Sequence, residues 1–396
     1  MVLAGGRVRP PGGDRSGLCA AREAARGPDG TVSTVSRPLV DIRLEGLDTR
    51  GGAAPGVHGV SVHVRYGEFF TFLGPPKSGK SDVLRAIAGF LPITHGHVLV
   101  DGQDISTVPP RLRGVGYVFQ DGALWPHMRA RDHVAYGLRQ QGLPKDEIER
   151  RVGMVLGRLG LADATALKPG ALSLEQRRRL ALARALAIEP RVLLLDEPLA
   201  NLDPTARKAF RLELAKLHRD LAVTTIHATR NAADALALSD RLAVIDSGRV
   251  LQVGDPAELY HQPQTRAAAE ALGPASFLPV RVVEVRDLGV VVETEHGDRV
   301  PVAGRGAYRL GDRGLLVLRP ETLSMTEAAM ARGPGIPGRV ALRVFEGSRH
   351  LYEIEIGTRV PIRVELPSAG EERVFRLGDR VRVEISSETV VLVPDA

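Results

Sequence analysis

The sequence holds one cysteine, Cys19, so no intrachain disulfide can form and a reducing compartment suits the chain. No stretch approaches the roughly 20 apolar residues that a membrane-spanning helix needs. The opening MVLAGGRVRPPGGDRSG has no apolar core of signal-peptide length. The expectation is a cytosolic chain that can sit on a membrane partner. Aromatics are scarce, at 4%, so the stacking platforms that hold single-stranded nucleic acid are scarce too. The formal charge is +6, but the basic residues are nearly all Arg and are scattered among acids, apart from clusters such as Arg177–Arg179. That pattern makes no continuous basic face, and no nucleic-acid partner is expected.

What is present is globular. The 396 residues are too many for one ordinary domain, so two or three are expected. Residues 1–37 are rich in Gly, Arg, Pro and Ser, lack any hydrophobic period and read as disordered. From PLVDIRLEGL to about Gly273, strand-like runs alternate with helical patterns. RVLLLDEP is a continuous apolar run, as a buried parallel strand requires. The expected fold is an α/β domain with a mixed, largely parallel sheet over residues 38–273, carrying a helical subdomain at about 121–190. Residues 274–396 show short β-rich runs and little helical period, and predict a small all-β, OB-like domain. Two similar halves are visible in it, RLGDRGLLVL at 309–318 and RLGDRVRVEI at 376–385.

GPPKSGKS at 74–81 fits G-x-x-x-x-G-K-S and lies between a strand, EFFTFL, and a helix, SDVLRAIAGFL. Such a loop aims its backbone N–H groups at phosphates. Gly74, Pro75, Pro76, Lys77, Ser78, Gly79, Lys80, Ser81 and Asp82 are therefore the candidate ATP-binding stretch. Lys80 brings charge to the β- and γ-phosphates, and Ser81 offers its hydroxyl to Mg²⁺. Asp196 closes the apolar strand and is a second candidate for the Mg²⁺ shell. Glu197 follows it, placed to orient or deprotonate the attacking water. Gln120, after VGYVF, is a candidate contact for Mg²⁺ or the water, and His227, after VTTI, for the γ-phosphate.

These segments resemble the ATP-binding subunits of ABC importers, in the group that serves maltose, polyamine, iron(III) and sulfate uptake. The resemblance runs from about residue 39 to the end. It rests on the phosphate loop, Gln120 in VFQDGALWPHM, the signature-like Leu172, Ser173, Leu174, Glu175 and Gln176, LLLDEP at 193–198, and ANLD at 200–203 with Asn201, Leu202 and Asp203. GRVLQVGDPAELYHQP and an RPE at 319–321 extend it into the tail, which resembles the OB-type (TOBE) domain of this group. The resemblance implies ATP hydrolysis with Mg²⁺, coupled to solute import through separate permease subunits, with a solute-binding protein acting indirectly. It implies a chain peripheral on the cytoplasmic face of the cell membrane. It also implies two ATPase subunits, head to tail, each ATP held between one subunit's phosphate loop and the other's signature. Leu124, Trp125 and His127 would then form the surface that meets the membrane subunits.

The sequence departs from that group around the nucleotide. Gly51 falls where an adenine-stacking aromatic is usual. Pro76 and Lys77 replace Ser and Gly, Asp82 replaces Thr, and Ala228 replaces an Asp. Pro76 removes an N–H donor. In the signature, Leu174 and Glu175 replace two glycines whose lack of a side chain lets the backbone approach phosphate closely. A carboxylate about 4 Å from phosphate, at an effective dielectric of about 20, costs roughly 4 kcal/mol. Three readings follow: a homodimeric importer ATPase, one half of a heterodimer with an intact ATPase subunit, and a nucleotide-binding regulator that does not hydrolyse.

Overall fold

The computed structural model describes residues 40–50, 56–304, 308–328, 335–357, 361–368 and 374–395. The segment expected to be disordered, residues 1–37, and the Gly51 position lie outside the described residues.

The chain opens with β1 (Ile42–Thr49), β2 (Val57–Val64) and β3 (Phe69–Leu73), then α1 (Lys80–Ala88), β4 (Ile93–Val100), β5 (Gln103–Asp104) and β6 (Val115–Val118). Three helices follow, α2 (Ala130–Gln140), α3 (Lys145–Arg158) and α4 (Leu174–Ala187). Then come β7 (Val192–Asp196), α5 (Pro204–Leu221), β8 (Thr224–Thr229), α6 (Ala232–Leu238), β9 (Arg241–Asp246), β10 (Arg249–Gly254), α7 (Pro256–His261) and α8 (Arg266–Leu272). A six-stranded sheet runs β10-β9-β3-β8-β7-β6, parallel except for the β9–β10 hairpin. A four-stranded antiparallel sheet, β2-β1-β4-β5, packs over α1 on one face. The other face carries α5 and the three-helix segment through Phe69, Leu195, Phe210 and Leu214. All five residues of β7 are buried, which is why its sequence is apolar without alternation.

The apolar pattern of SDVLRAIAGFL predicts a helix through Leu91, but α1 stops at Ala88. Gly89 takes the left-handed conformation at φ 81° and returns its N–H to Ala86, as glycine does at helix ends.

From Ser276 onward every paired strand is antiparallel. β11 (Ser276–Arg286), β12 (Gly289–Thr294), β13 (Arg299–Ala303), β14 (Arg313–Leu318), β15 (Ser324–Glu327), β16 (Gly335–Phe345), β17 (Arg349–Glu355), β18 (Ile362–Pro367), β19 (Arg380–Glu384) and β20 (Val391–Pro394) form two five-stranded sheets, β13-β12-β11-β14-β20 and β15-β19-β16-β17-β18. They share one apolar core that includes Val292, Leu316, Ile354 and Val383. The two RLGDR segments make the same turn. Asp312 accepts from the Arg309 N–H at 2.7 Å, and Asp379 from the Arg376 N–H at 2.8 Å. Gly311 donates to Val282 and Gly378 to Val340 at 2.8 and 2.9 Å. Each accepting strand carries a bulge just beyond, at Val282/Glu284 and Val340/Leu342. The sequence repeat is thus a repeat of structure. Arg319 joins this part to the preceding helices. Its guanidinium lies 4.3 Å over the Tyr260 ring and donates to the Gly273 and Pro274 carbonyls.

Candidate functional site

The candidate site lies where β3 and β7 end together. The loop at 74–79 leaves β3 and enters α1 under tight steric limits. A Cβ on Gly74 would stand 2.0 Å from the Ile245 carbonyl oxygen, and Gly79 has φ 97° with the Gly56 carbonyl 3.2 Å from its Cβ position. Lys80 is buried and folded into the loop. Its ammonium donates to the Gly74 and Pro75 carbonyls at 2.8 and 2.6 Å and to Ser78 Oγ at 3.2 Å. Burial pulls its pKa down, against the upward pull of Glu197 and Asp196. Pro75, Pro76 and Lys77 form the exposed crest.

Ser81 donates its hydroxyl to Asp196 Oδ1 at 2.7 Å. The other Asp196 oxygen accepts from the Tyr117 hydroxyl at 3.0 Å. Tyr117 is held by rings, with Phe119 at 4.3 Å and Phe90 at 5.6 Å, and burial pushes its phenol pKa up. Nothing in the sequence pairs Tyr117 with Asp196. They meet because β6 and β7 are adjacent parallel strands, with Tyr117 opposite Leu194. Asp82 is also buried; burial raises its carboxyl pKa and Arg85, 3.6 Å away, pulls it back. The charge it adds beside the loop is therefore partly compensated within the helix.

Glu197 takes a left-handed backbone at φ 48°, a conformation that costs a non-glycine residue energy and recurs at functional sites. Its N–H is held by the Ala228 carbonyl at 2.9 Å. Burial pushes its carboxyl pKa up, opposed by Lys80 and then Arg230. The Arg230 guanidinium lies 3.5 Å from Glu197 Oε2.

His227 is not part of this constellation. It is 0% exposed and sits inside β8, paired in register with Thr71 on one side and Leu195 on the other. Strand alternation turns it to the face that packs on α5, while Ala228 faces the α1 side with Ile226. Its Nδ1 meets Thr71 Oγ1 at 3.2 Å, its ring stands edge-on to Phe69, and its Nε2 has no partner. A ring so enclosed cannot reach a phosphate. The expectation for His227 fails because the strand runs to Thr229. The basic residue just past its carboxyl end is Arg230, and the comparison made at Ala228 moves with it. Burial pushes the His227 pKa down to about 3. The unfolded chain protonates this ring near 6.5, so the unfolded state binds more protons between those values. The stability lost is absent above about pH 6.5 and grows as pH falls, reaching roughly 2 kcal/mol at pH 5. Urea midpoints at pH 7.5 and 5 should show His227→Leu losing about that much less than the parent. Equal losses would refute the buried neutral ring.

The signature-like segment opens α4. Ser173 is its N-cap: the hydroxyl accepts the Gln176 N–H at 3.1 Å, and the Gln176 side chain accepts the Ser173 N–H at 2.9 Å. An S-x-x-Q before an apolar run is the sequence pattern of this reciprocal capping box. Leu172 is buried and Leu174 exposed. Glu175 does not project freely. It pairs with Arg179 at 2.8 Å, and Arg179 also pairs with Glu213 at 2.9 Å. The full like-charge cost expected from Glu175 is therefore reduced before any phosphate arrives.

Gln120 is exposed two residues past β6, and its carbonyl accepts from Arg178. Asn201 has φ 62°, Leu202 packs on the helical core, and Asp203 caps α5 through the Thr205 and Ala206 N–H groups. Trp125 stacks on His133 at 5.4 Å with the Arg184 guanidinium 5.1 Å from its ring. Leu124 packs on the same core, and His127 is exposed. Among the described residues no cluster of three or more His, Cys, Asp or Glu could hold a metal, and no helix is long and apolar enough to cross a membrane.

Residues 57–200 match the family described as ABC transporter, and residues 316–393 match the TOBE domain. The maltose/maltodextrin import ATP-binding protein MalK of Salmonella typhimurium (strain LT2) is 36% identical over 360 residues, covering 90% of this chain and 94% of that protein. MalK of Photorhabdus laumondii is 36% identical over 339 residues, covering 85% of this chain and 88% of that protein. Among solved structures, cbiO1 from Clostridium perfringens, part of the ABC transporter complex cbiONQ, aligns with a TM-score of 0.51 and 30% identity. It covers 55% of this chain and 90% of that one.

Proposed function

The chain belongs to the ABC transporter family of ATP-binding subunits, and we propose that it drives solute import as a pair of identical ATPase subunits beneath separate permease subunits. In this reading it lies on the cytoplasmic face of the membrane, and a solute-binding protein acts on the permease from the other side. The observation that carries the reading is the convergence of Lys80, Ser81, Asp196 and Glu197 at the ends of β3 and β7.

The reading gives each residue a role. Loop N–H groups and Lys80 hold the β- and γ-phosphates; the ammonium exchanges two loop carbonyls for phosphate oxygens. Ser81 and Asp196 bring oxygens 2.7 Å apart, a donor set that suits a hard divalent ion, and Mg²⁺ held there, with Gln120 as a further candidate ligand, would neutralise the phosphates. Tyr117 fixes the Asp196 carboxylate by its second oxygen. Glu197, its basicity raised by burial, accepts a proton from the water whose oxygen bonds the γ-phosphorus as the bond to the ADP oxygen breaks. Arg230, whose guanidinium lies 3.5 Å from Glu197 Oε2, is the cation placed beside the attacking water to stabilise charge on the γ-phosphate. The signature segment of the second copy closes the site. Leu124, Trp125 and His127 lie on the surface that would carry the motion to the permease.

Replacing Arg230 separates this assignment from one based on His227. Arg230→Ala should lower the turnover number ten- to a hundredfold, with a smaller change in ATP affinity. His227→Leu should leave turnover within about twofold. Phosphate release and equilibrium ATP binding read the two effects; the opposite pattern returns the role to His227.

A further inference from the structure

Two departures from the family's motifs carry opposite charges, and they lie in the two segments that a head-to-tail pair of the kind proposed above would bring together. Lys77 sits on the crest of the phosphate loop with a left-handed backbone at φ 63°. Unlike Lys80, which the loop's own carbonyls occupy, its ammonium has no hydrogen bond or ion pair among the described residues. Glu175 at the tip of α4 is linked through Arg179 to Glu213 of α5 by ion pairs of 2.8 and 2.9 Å. Two carboxylates share one guanidinium there, so that group keeps one uncompensated negative charge. An apolar neighbour flanks each charge: exposed Pro76 beside Lys77 and exposed Leu174 beside Glu175. No hydrogen bond or ion pair joins the loop crest to the helix tip within one chain, among the described residues.

We propose that Lys77 of one copy pairs with Glu175 of the second copy across the closed dimer, so that each substitution compensates the other. The inference rests on the two-copy reading above and names the charge pair that makes its interface self-complementary. It accounts for a carboxylate in the signature segment: an ammonium of the second copy would offset its charge. It also predicts that a chain altered at only one of the two positions loses self-complementarity.

A mixing experiment tests it. Glu197→Gln chains are the background, so bound ATP is not consumed, and ATP-dependent dimerisation is followed by sedimentation. Lys77→Glu alone sets like charges facing at both interfaces of its dimer, and Glu175→Lys alone does the same with the other sign. Each should weaken dimerisation at least tenfold. When the two single variants are mixed, every interface again faces opposite charges, and dimerisation should return to within about threefold of the background chain. A mixture no better than either variant overturns the pair while leaving the two-copy reading intact, provided the background chain dimerises with ATP. A background chain that never dimerises with ATP removes that reading and the pair with it. ATP binding by the dilute Lys77→Glu monomer separates loss of nucleotide from loss of the interface, because mixing cannot restore the former.

Discussion

Glu197→Gln should cut ATP turnover by about a hundred- to a thousandfold while leaving ATP binding within a few-fold of the parent. Moving a proton from the attacking water is worth roughly 10²–10⁴ in rate when a positioned base does it. Glutamine keeps the size and one hydrogen-bonding oxygen but cannot accept that proton. The local structure favours a clean result. The residue is fixed by its backbone, through the left-handed φ of 48° and the N–H bond to Ala228, so the substitution leaves the loop in place. The carboxylate's partner, Arg230, loses an ion pair that is half exposed on the arginine side, a contact of small energetic weight. Rapid-quench turnover and equilibrium nucleotide binding would check both halves. A variant that still turns over at more than a tenth of the parental rate would remove Glu197 from the proton transfer.

Lys80→Ala should weaken ATP binding by about two orders of magnitude. Charge-assisted hydrogen bonds are worth roughly 1.5–3 kcal/mol each, and the Lys80 ammonium is the one cation buried within the loop. It donates to the Gly74 and Pro75 carbonyls. Its removal therefore also leaves those acceptors without their donor, and the melting temperature should fall modestly. Calorimetric titration with ATP reads the affinity. An affinity within threefold of the parent would mean that Lys77, not Lys80, supplies the charge.

How far the site could be read from sequence depended on whether its geometry is local. The phosphate loop, the buried strand ending in Asp196 and the glutamate after it are contiguous patterns, and residues close in sequence are close in space. The capping box of Ser173 and Gln176 is local in the same way. So is the doubled RLGDR turn, whose two copies repeat the same hydrogen bonds. Arg230 was missed for want of a strand boundary. VTTIHAT is mostly β-branched, nothing within it marks where β8 stops, and a shift of three residues moves the candidate from an enclosed face to an open end. Tyr117 and Arg179 were missed because their partners come from elsewhere in the fold. The Asp196 carboxylate is 79 residues from Tyr117, and no single-sequence pattern joins Arg179 to Glu213. That last contact changes the electrostatics most. Glu175 reads as an isolated charge in the sequence and is one member of a three-residue ion-pair group in the fold.

The most direct test of the account is phosphate release from ATP by the purified, unaltered chain, with Mg²⁺ and with Mg²⁺ chelated. A working ATPase pair predicts steady turnover that needs Mg²⁺ and persists with Leu174 and Glu175 in place. ATP binding without turnover at any chain concentration would contradict it, and would mean that the altered signature cannot close a site between two copies of this chain.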